Sequence, residues 1–226
     1  MTPRQLATRE EGVIAIEFAL ILPILLILIV GTFEISKYIQ TNNQVVQVVS
    51  MVGQMSSQLP ATTDVTDVQR IWSASPLIAP EAQRVAANLK AQRWSDVLNV
   101  TITSIVFTKR VPDCQSNCVY DAQIAWSVGQ NPVSCGTIPS GNPILPTQDV
   151  IPAELYGQGS VISVRASLSY LPYLIGTSDL LAGLASSLSG QMTESSWFLP
   201  RNADRTALTG LAAATPQVRL CPGIAS

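Results

Sequence analysis

One stretch constrains this chain more than any other. Val13 to Phe33 is a continuous apolar run whose only charged residue is Glu17. As a helix rising ~1.5 Å per residue it would span about 31 Å, enough to cross a bilayer core. A cleaved secretory signal has an apolar region of only about 7–15 residues ending at a small-x-small site. This run is longer, and Val30-Gly31-Thr32-Phe33-Glu34 offers no such site, so the helix is expected to stay with the protein. Arg4 and Arg9 precede it and Lys37 alone follows closely, which favours a cytoplasmic N-terminus. Beyond Phe33, apolar residues recur at helical spacing at Ile35, Tyr38, Ile39, Val45, Val46, Val49 and Val52, and the pattern ends at Pro60. The expectation is one helix from about Val13 to Ser57, half in lipid and half outside.

Composition narrows the chemistry. The 226 residues are 12% charged, carry a net charge of −2 and contain no histidine. The commonest general base, the histidine-dependent nucleophile pairs and most zinc designs are therefore missing. A binder driven by phosphate neutralisation does not fit an acidic chain, so no nucleic-acid partner is expected. Acidic residues are scattered singly, and no Gly-rich phosphate loop follows a strand. The chain reads as a non-enzyme with no cofactor and no metal.

After Pro60 the pattern changes. Asp64 to Trp72 and Pro80 to Leu98 look helical, the second with Val85, Leu89, Trp94 and Leu98 on a rough stripe. The period then switches to two. Leu98 to Phe107 reads as a strand; in Tyr120–Val128 and Val161–Tyr170 the even positions are apolar, which implies antiparallel strands with one wet face. Gln130 to Pro152 holds five prolines and reads as a long irregular loop. Leu180 to Gly190 and Ala207 to Ala214 read as short helical turns or connections. The fold class is α+β: a long N-terminal transmembrane and stem helix, then short helices and an antiparallel sheet. The division is a leader at 1–12, a membrane helix and amphipathic stem at 13–58, and a head at 59–226.

Cys114, Cys118, Cys135 and Cys221 all lie downstream of the apolar run. An even number in an oxidising periplasm implies two disulfides with three possible pairings. Cys114 and Cys118 sit in the turn between two expected strands, which suits a local bridge and would leave Cys135 for Cys221. A four-thiolate metal site lacks paired cysteines two residues apart.

The head of the helix is the most informative segment: Glu11-Gly12-Val13-Ile14-Ala15-Ile16-Glu17-Phe18-Ala19-Leu20-Ile21-Leu22-Pro23. A carboxylate inside an apolar span costs about 2.5–3.5 kcal/mol on insertion scales, so it usually has a task. A cut after Gly12 would make Glu17 the fifth residue of the mature helix, in reach of the Val13 α-ammonium of its own or a neighbouring chain. Thr8 to Glu11 also fits a capping box, with Thr8 as N-cap. The arrangement resembles the type IV pilin-like signal, and Glu17-Phe18-Ala19-Leu20-Ile21-Leu22-Pro23 is similar to the TadE-like family of Tad (tight-adherence, Flp) pilus pseudopilins. Glu10-Glu11 stand where such leaders usually carry a basic residue. The stretch Val161 to Pro172 is a weaker echo of the family's late strand.

The resemblance implies a structural role. A prepilin peptidase would cut between Gly12 and Val13 on the cytoplasmic face of the inner membrane. Val13 to Phe33 would stay in the bilayer with the head in the periplasm, and Glu17 and Phe18 would set register against neighbouring stems. Other pseudopilins and pilins and the inner-membrane assembly platform would be the partners. Major Tad pilins are far shorter, which favours a minor component that initiates, primes or tips the pilus. The alternative is an uncleaved, single-pass periplasmic binding or adhesion protein.

Overall fold

The computed structural model describes residues 4–138, 151–157, 159–173, 189–201, 207–209 and 217–221, without the side chains of 4–13 and 153. Helix α1 spans Arg4–Ser57, 54 residues, and continues across Pro23. Proline has no N–H to give, so the Ala19 carbonyl one turn back loses its usual helical partner. The C-terminal end is where Pro60 placed it. The N-terminal end is not where the capping-box reading put it, because the helix already runs through Thr8, which therefore cannot be an N-cap.

The chain divides into two compact units: Met1–Gln40 with Leu171–Ser189, and Thr41–Tyr170 with Gly190–Ser226. The second contains the head elements. They are β1 (Thr62–Asp64), α2 (Val65–Ser73), α3 (Ser75–Ile78), α4 (Glu81–Asn88), β2 (Leu98–Lys109), β3 (Tyr120–Gly129), β4 (Thr137–Ile138), β5 (Gly159–Tyr170), β6 (Gly190–Phe198), β7 (Ala207–Thr209) and β8 (Val218–Leu220). An antiparallel sheet runs β4-β3-β2-β5-β6, with β8 also paired to β3, while β1 and β7 form a separate parallel pair. The α+β class is as the sequence implied.

Asp64 caps α2, accepting the Thr66 N–H at 2.7 Å. Hydrogen bonds from the Thr66 hydroxyl and N–H hold its carboxyl below the usual carboxylate range. Helix α4 is shorter than expected. Lys90 adopts a left-handed φ of 52° and the Ala91 N–H closes back on the Ala86 carbonyl at 2.9 Å, a Schellman-type stop. Trp94 then falls in a 3₁₀ turn and Leu98 begins β2, so the expected helical stripe through both breaks up. Ala207–Thr209 is strand rather than helical turn; the rest of that segment, 210–214, and residues 180–188 lie outside the described residues.

Register sorts the core into two faces. Leu98, Val100 and Ile102 of β2 pair with Leu168, Ala166 and Val164 of β5, and all six are fully buried. Trp126 and Val128 of β3 join that face. The single apolar face expected for Tyr120–Val128 does not hold. A β-bulge leaves Ala125 unpaired between Trp126, opposite Ser104, and Ile124, opposite Ile105. Ala122 and Ile124 therefore turn to the other face, where they cluster with Ile105, Phe107, Val161, Ile151 and Cys221. That face is not simply wet: Thr103 and Ser127 are buried there and share a hydrogen bond of 2.9 Å between their hydroxyls.

On the first face, α2 packs on β2 and β3, and α4 packs on β5. Trp72 Nε1 donates to the Val100 carbonyl at 2.9 Å and its ring lies 4.8 Å from that of Trp94. The outer part of α1 buries Val45, Val48, Val49 and Val52, while Ile35, Tyr38, Ile39 and Val46 of the expected stripe stay exposed. Gly53 explains itself here. Glycine costs a helix about 1 kcal/mol relative to alanine, yet a Cβ at this position would overlap the Phe198 ring. Gly53→Val should push that ring off β6 and lower stability by about 1–3 kcal/mol. The check is a fall in the urea midpoint of the detergent-solubilised protein with an unchanged slope.

Candidate functional site: the exposed N-terminal helix

Every described side chain from Ile14 to Ile29 is exposed, including Phe18 at 62% and Ile27 at 71%. Each large apolar side chain left in water forgoes about 1.5–3 kcal/mol. A surface like this is therefore made to be covered by lipid or by other apolar helices. Among the described residues, α1 is the one helix long and apolar enough to cross a membrane, by length and composition. Its polar interruptions are handled locally: Thr32 Oγ1 donates to the Leu28 carbonyl at 2.8 Å, so its hydroxyl places little demand on an apolar neighbour.

Glu17 projects from this same exposed stretch, and nothing within the described chain covers it. Gly12 and Val13 lie in α1 upstream of it, at the margin of the described side chains. Val13 and Glu17 are four residues apart, which puts them on one face of a helix. Phe18, next to Glu17, is likewise exposed. The structure thus sets Glu17 and Phe18 on one exposed stretch of α1, with Gly12 and Val13 upstream in the same helix.

A second cluster lies at the other end of the apolar run, and sequence reading passed over it. Glu34 is buried, only 5% exposed, and accepts the Tyr173 backbone N–H at 3.0 Å. The Phe33 and Tyr173 rings meet edge to face, with centroids 6.1 Å apart. Lys37 Nζ lies 5.6 Å from the first ring and 5.2 Å from the second, within cation–π range. Glu34 and Lys37 were legible as flanking charges, but no local pattern announces a partner some 140 positions away.

In the head, the polar half of the second sheet face floors a cavity of about 470 Å³. Thr101, Thr103, Ser163 and Arg165 lie on its floor, with Trp197 and the loop through Cys135 among its walls. Arg165 is the only titratable side chain among the described lining residues, so no acid–base pair converges there. Thr101 Oγ1 is already committed to the Asn131 carbonyl at 3.3 Å, whereas Asn99 Oδ1 is buried without a partner.

The four cysteines form the two bridges Cys114–Cys118 and Cys135–Cys221, the pairing that placing Cys114 and Cys118 in one turn favoured. The first closes the β2–β3 turn, where Asn117 takes a left-handed φ of 52° and Arg110 pairs with Asp121 at 2.6 Å. That guanidinium holds the Asp121 carboxyl below its ordinary value. The second bridge ties the loop after β3 to the end of β8.

The exposed helix, its lone carboxylate and the glycine ahead of it are the features that known families can be compared on. Residues 12–53 match the family model of TadE-like protein. The TadE-like match opens at Gly12, takes in Val13, Glu17 and Phe18, and closes at Gly53, where α1 meets the Phe198 ring. It points to an association with the Tad pilus and leaves the sheet and its cavity outside. No curated protein and no solved structure matches the chain.

Proposed function

We propose that this protein is a minor pseudopilin of a bacterial Tad pilus, acting structurally in initiation, assembly or at the tip. In this reading it enters the inner membrane with residues 1–12 in the cytoplasm, and a prepilin peptidase cuts between Gly12 and Val13. Val13 to Phe33 remains in the bilayer and the head lies in the periplasm. The new Val13 α-ammonium of one chain pairs with Glu17 of the next, and that ion pair, buried between apolar stems, fixes their axial register. Phe18 packs beside it. The partners are the peptidase, other pseudopilins and pilins, the assembly platform and the lipid itself. No catalytic step is assigned to the chain, nor any cofactor.

The observation that carries this reading is a fully exposed apolar stretch of α1, Ile14 to Ile29, with one charge on it, Glu17, inside the TadE-like segment. An uncovered Glu17 is costly in lipid and useful only against an opposite charge. The experiment is the intact mass of the membrane-extracted protein from cells with and without the peptidase. A chain starting at Val13 only when the peptidase is present is the expected result. Retention of Met1 to Gly12 in both would overturn processing, with Glu10-Glu11 as the first residues to replace.

The cavity in the head favours a second reading, a permanently anchored binding or adhesion module. An aromatic wall at Trp197 and a guanidinium at Arg165 are the kinds of group that orient a polar ligand. Retention of the leader together with indifference to Glu17→Gln would favour it.

A further inference from the structure

We infer that the cavity in the head is a saccharide site, and that it takes a sugar carrying a carboxylate, of the uronic acid class. This rests on the binding reading of the head and deepens it by naming the ligand. It holds whether or not the leader is removed, because every residue it uses lies on the sheet or the loop after β3.

The register of the sheet lays the site out. Arg165 of β5 stands opposite Thr101 of β2, and Ser163 stands between Thr103 of β2 and Trp197 of β6. Arg165 and Trp197 are therefore diagonal neighbours on one face, roughly 7–8 Å apart, and both line the cavity. That spacing lets one ring lie on the indole while a carboxylate at the ring's edge meets the guanidinium. Trp197 is half-buried and packs on the Ile105 cluster, so the indole is supported from behind. Ser163, also half-buried, adds a hydroxyl to the floor beside it. The wall through Cys135 is bridged to Cys221, which holds it in place before a ligand arrives.

The lining selects among ligands. With Arg165 the one titratable group among the described lining residues, no described carboxylate in the cavity offsets its charge. A guanidinium has five N–H donors, so the interaction Arg165 already makes within the chain leaves donors for a carboxylate. A phosphate monoester carries up to about two charges, more than this lone cation balances. The floor strands β2 and β5 are each paired on both sides, so they offer no free edge to a peptide strand. Hydroxyls suit a sugar better. The Thr101 hydroxyl donates to the Asn131 carbonyl and keeps its acceptor lone pairs, and Ser163 can give as well as accept. An indole wall beside a hydroxyl floor offers one apolar and one polar side, as a pyranose ring does. The volume of about 470 Å³ lies toward the small end of the ~300–1,000 Å³ of ligand pockets, which suits about one or two rings.

The test is calorimetric titration of the full-length protein in a zwitterionic detergent that has no sugar headgroup. The probes are digalacturonate and dimannuronate, the methyl ester of each, and trialanine as a peptide with a free carboxylate. The expected result is binding of at least one uronate, with its uncharged ester about tenfold weaker or more, since hydrogen bonds to a charged group are the stronger ones. Arg165→Gln should weaken the acid about tenfold and leave the ester unchanged, a split that a merely structural role of Arg165 does not produce. Equal affinity for acid and ester would overturn the carboxylate and leave a neutral saccharide site. Binding of trialanine and of neither sugar would overturn the saccharide while the binding reading stands. No binding of any probe would remove this inference and the binding reading together. The comparison of acid with ester is made on wild type, so it decides even where Arg165→Gln fails to form both disulfides; Arg165→Lys, which keeps the charge and loses the fork, then takes its place.

Discussion

Glu17→Gln is expected to leave the protein in the membrane and to remove it from the assembly. Insertion should not suffer, because a neutral amide costs less in hydrocarbon than a carboxylate, for which insertion scales give about 2.5–3.5 kcal/mol. Incorporation should suffer, because an ion pair between packed apolar stems loses one partner and strands the other. Breaking a buried pair in this way costs about 3–5 kcal/mol. Even a third of that loss is about a tenfold drop in occupancy. The measurement is the ratio of this chain to the bulk pilin in sheared pili or in crosslinked membrane complexes, normalised to its membrane level. Glu17→Asp is the informative companion, since it keeps the charge and shortens the reach by one methylene; a register role predicts partial recovery. Unchanged incorporation of Glu17→Gln would dispose of the register role while leaving the membrane anchor untouched.

The reason to expect so large an effect is what surrounds the residue. From Ile14 to Ile29 every described side chain is exposed, and Glu17 is the only charged one. An assembly built on this surface has apolar packing to hold stems together but little to stop one sliding past another by a helical turn, since leucine and isoleucine repeat along it. A single buried polar position is the best-attested way to specify register in such a surface.

What the sequence made legible was what local period and local chemistry control. The end of α1 before Pro60, the short helix that opens near Asp64 and the even-numbered core residues of β5 all follow from patterns within a few residues. The departures have non-local causes. The bulge at Ala125 reverses the face of β3 halfway along it, and Ile102, Ile105 and their partners on β5 settle where that happens. β6 reads Gly-Gln-Met-Thr-Glu-Ser-Ser-Trp-Phe, with no alternation to find, because most of its residues are only half-buried on either face. The parallel pairing of β1 with β7 joins three-residue strands, too short for any period to show. The cluster of Glu34, Lys37 and Tyr173 joins residues far apart in the chain, and the cavity needs a loop stapled to β8. Of the exposed apolar stretch of α1, the residue types were legible and the exposure was not.

The two disulfides should differ in worth by more than twofold, and the longer loop should dominate. In the chain-entropy account a bridge stabilises by restricting the unfolded ensemble. Cys114 and Cys118 are separated by four positions, Cys135 and Cys221 by 86. Loop-closure entropy then gives about 2 kcal/mol for the short loop and about 4.5 kcal/mol for the long one. Packing adds to the difference. Cys221 is buried in the cluster with Ile105, Ile124 and Val161, and its N–H donates to the Ala125 carbonyl at 2.9 Å, at the bulge itself. Serine pairs at 135 and 221 would put two hydroxyls beside that cluster, loosen β8 from β3 and open the cavity wall. Serine pairs at 114 and 118 would loosen an exposed turn that Arg110–Asp121 still brackets. Urea unfolding of the two double variants in detergent, with wild type as reference, decides the matter. Equal losses would mean that the unfolded chain is already compact around Cys135 and Cys221, so that the long bridge restricts little; a larger loss at the hairpin would place the head's stability in the turn rather than in its core.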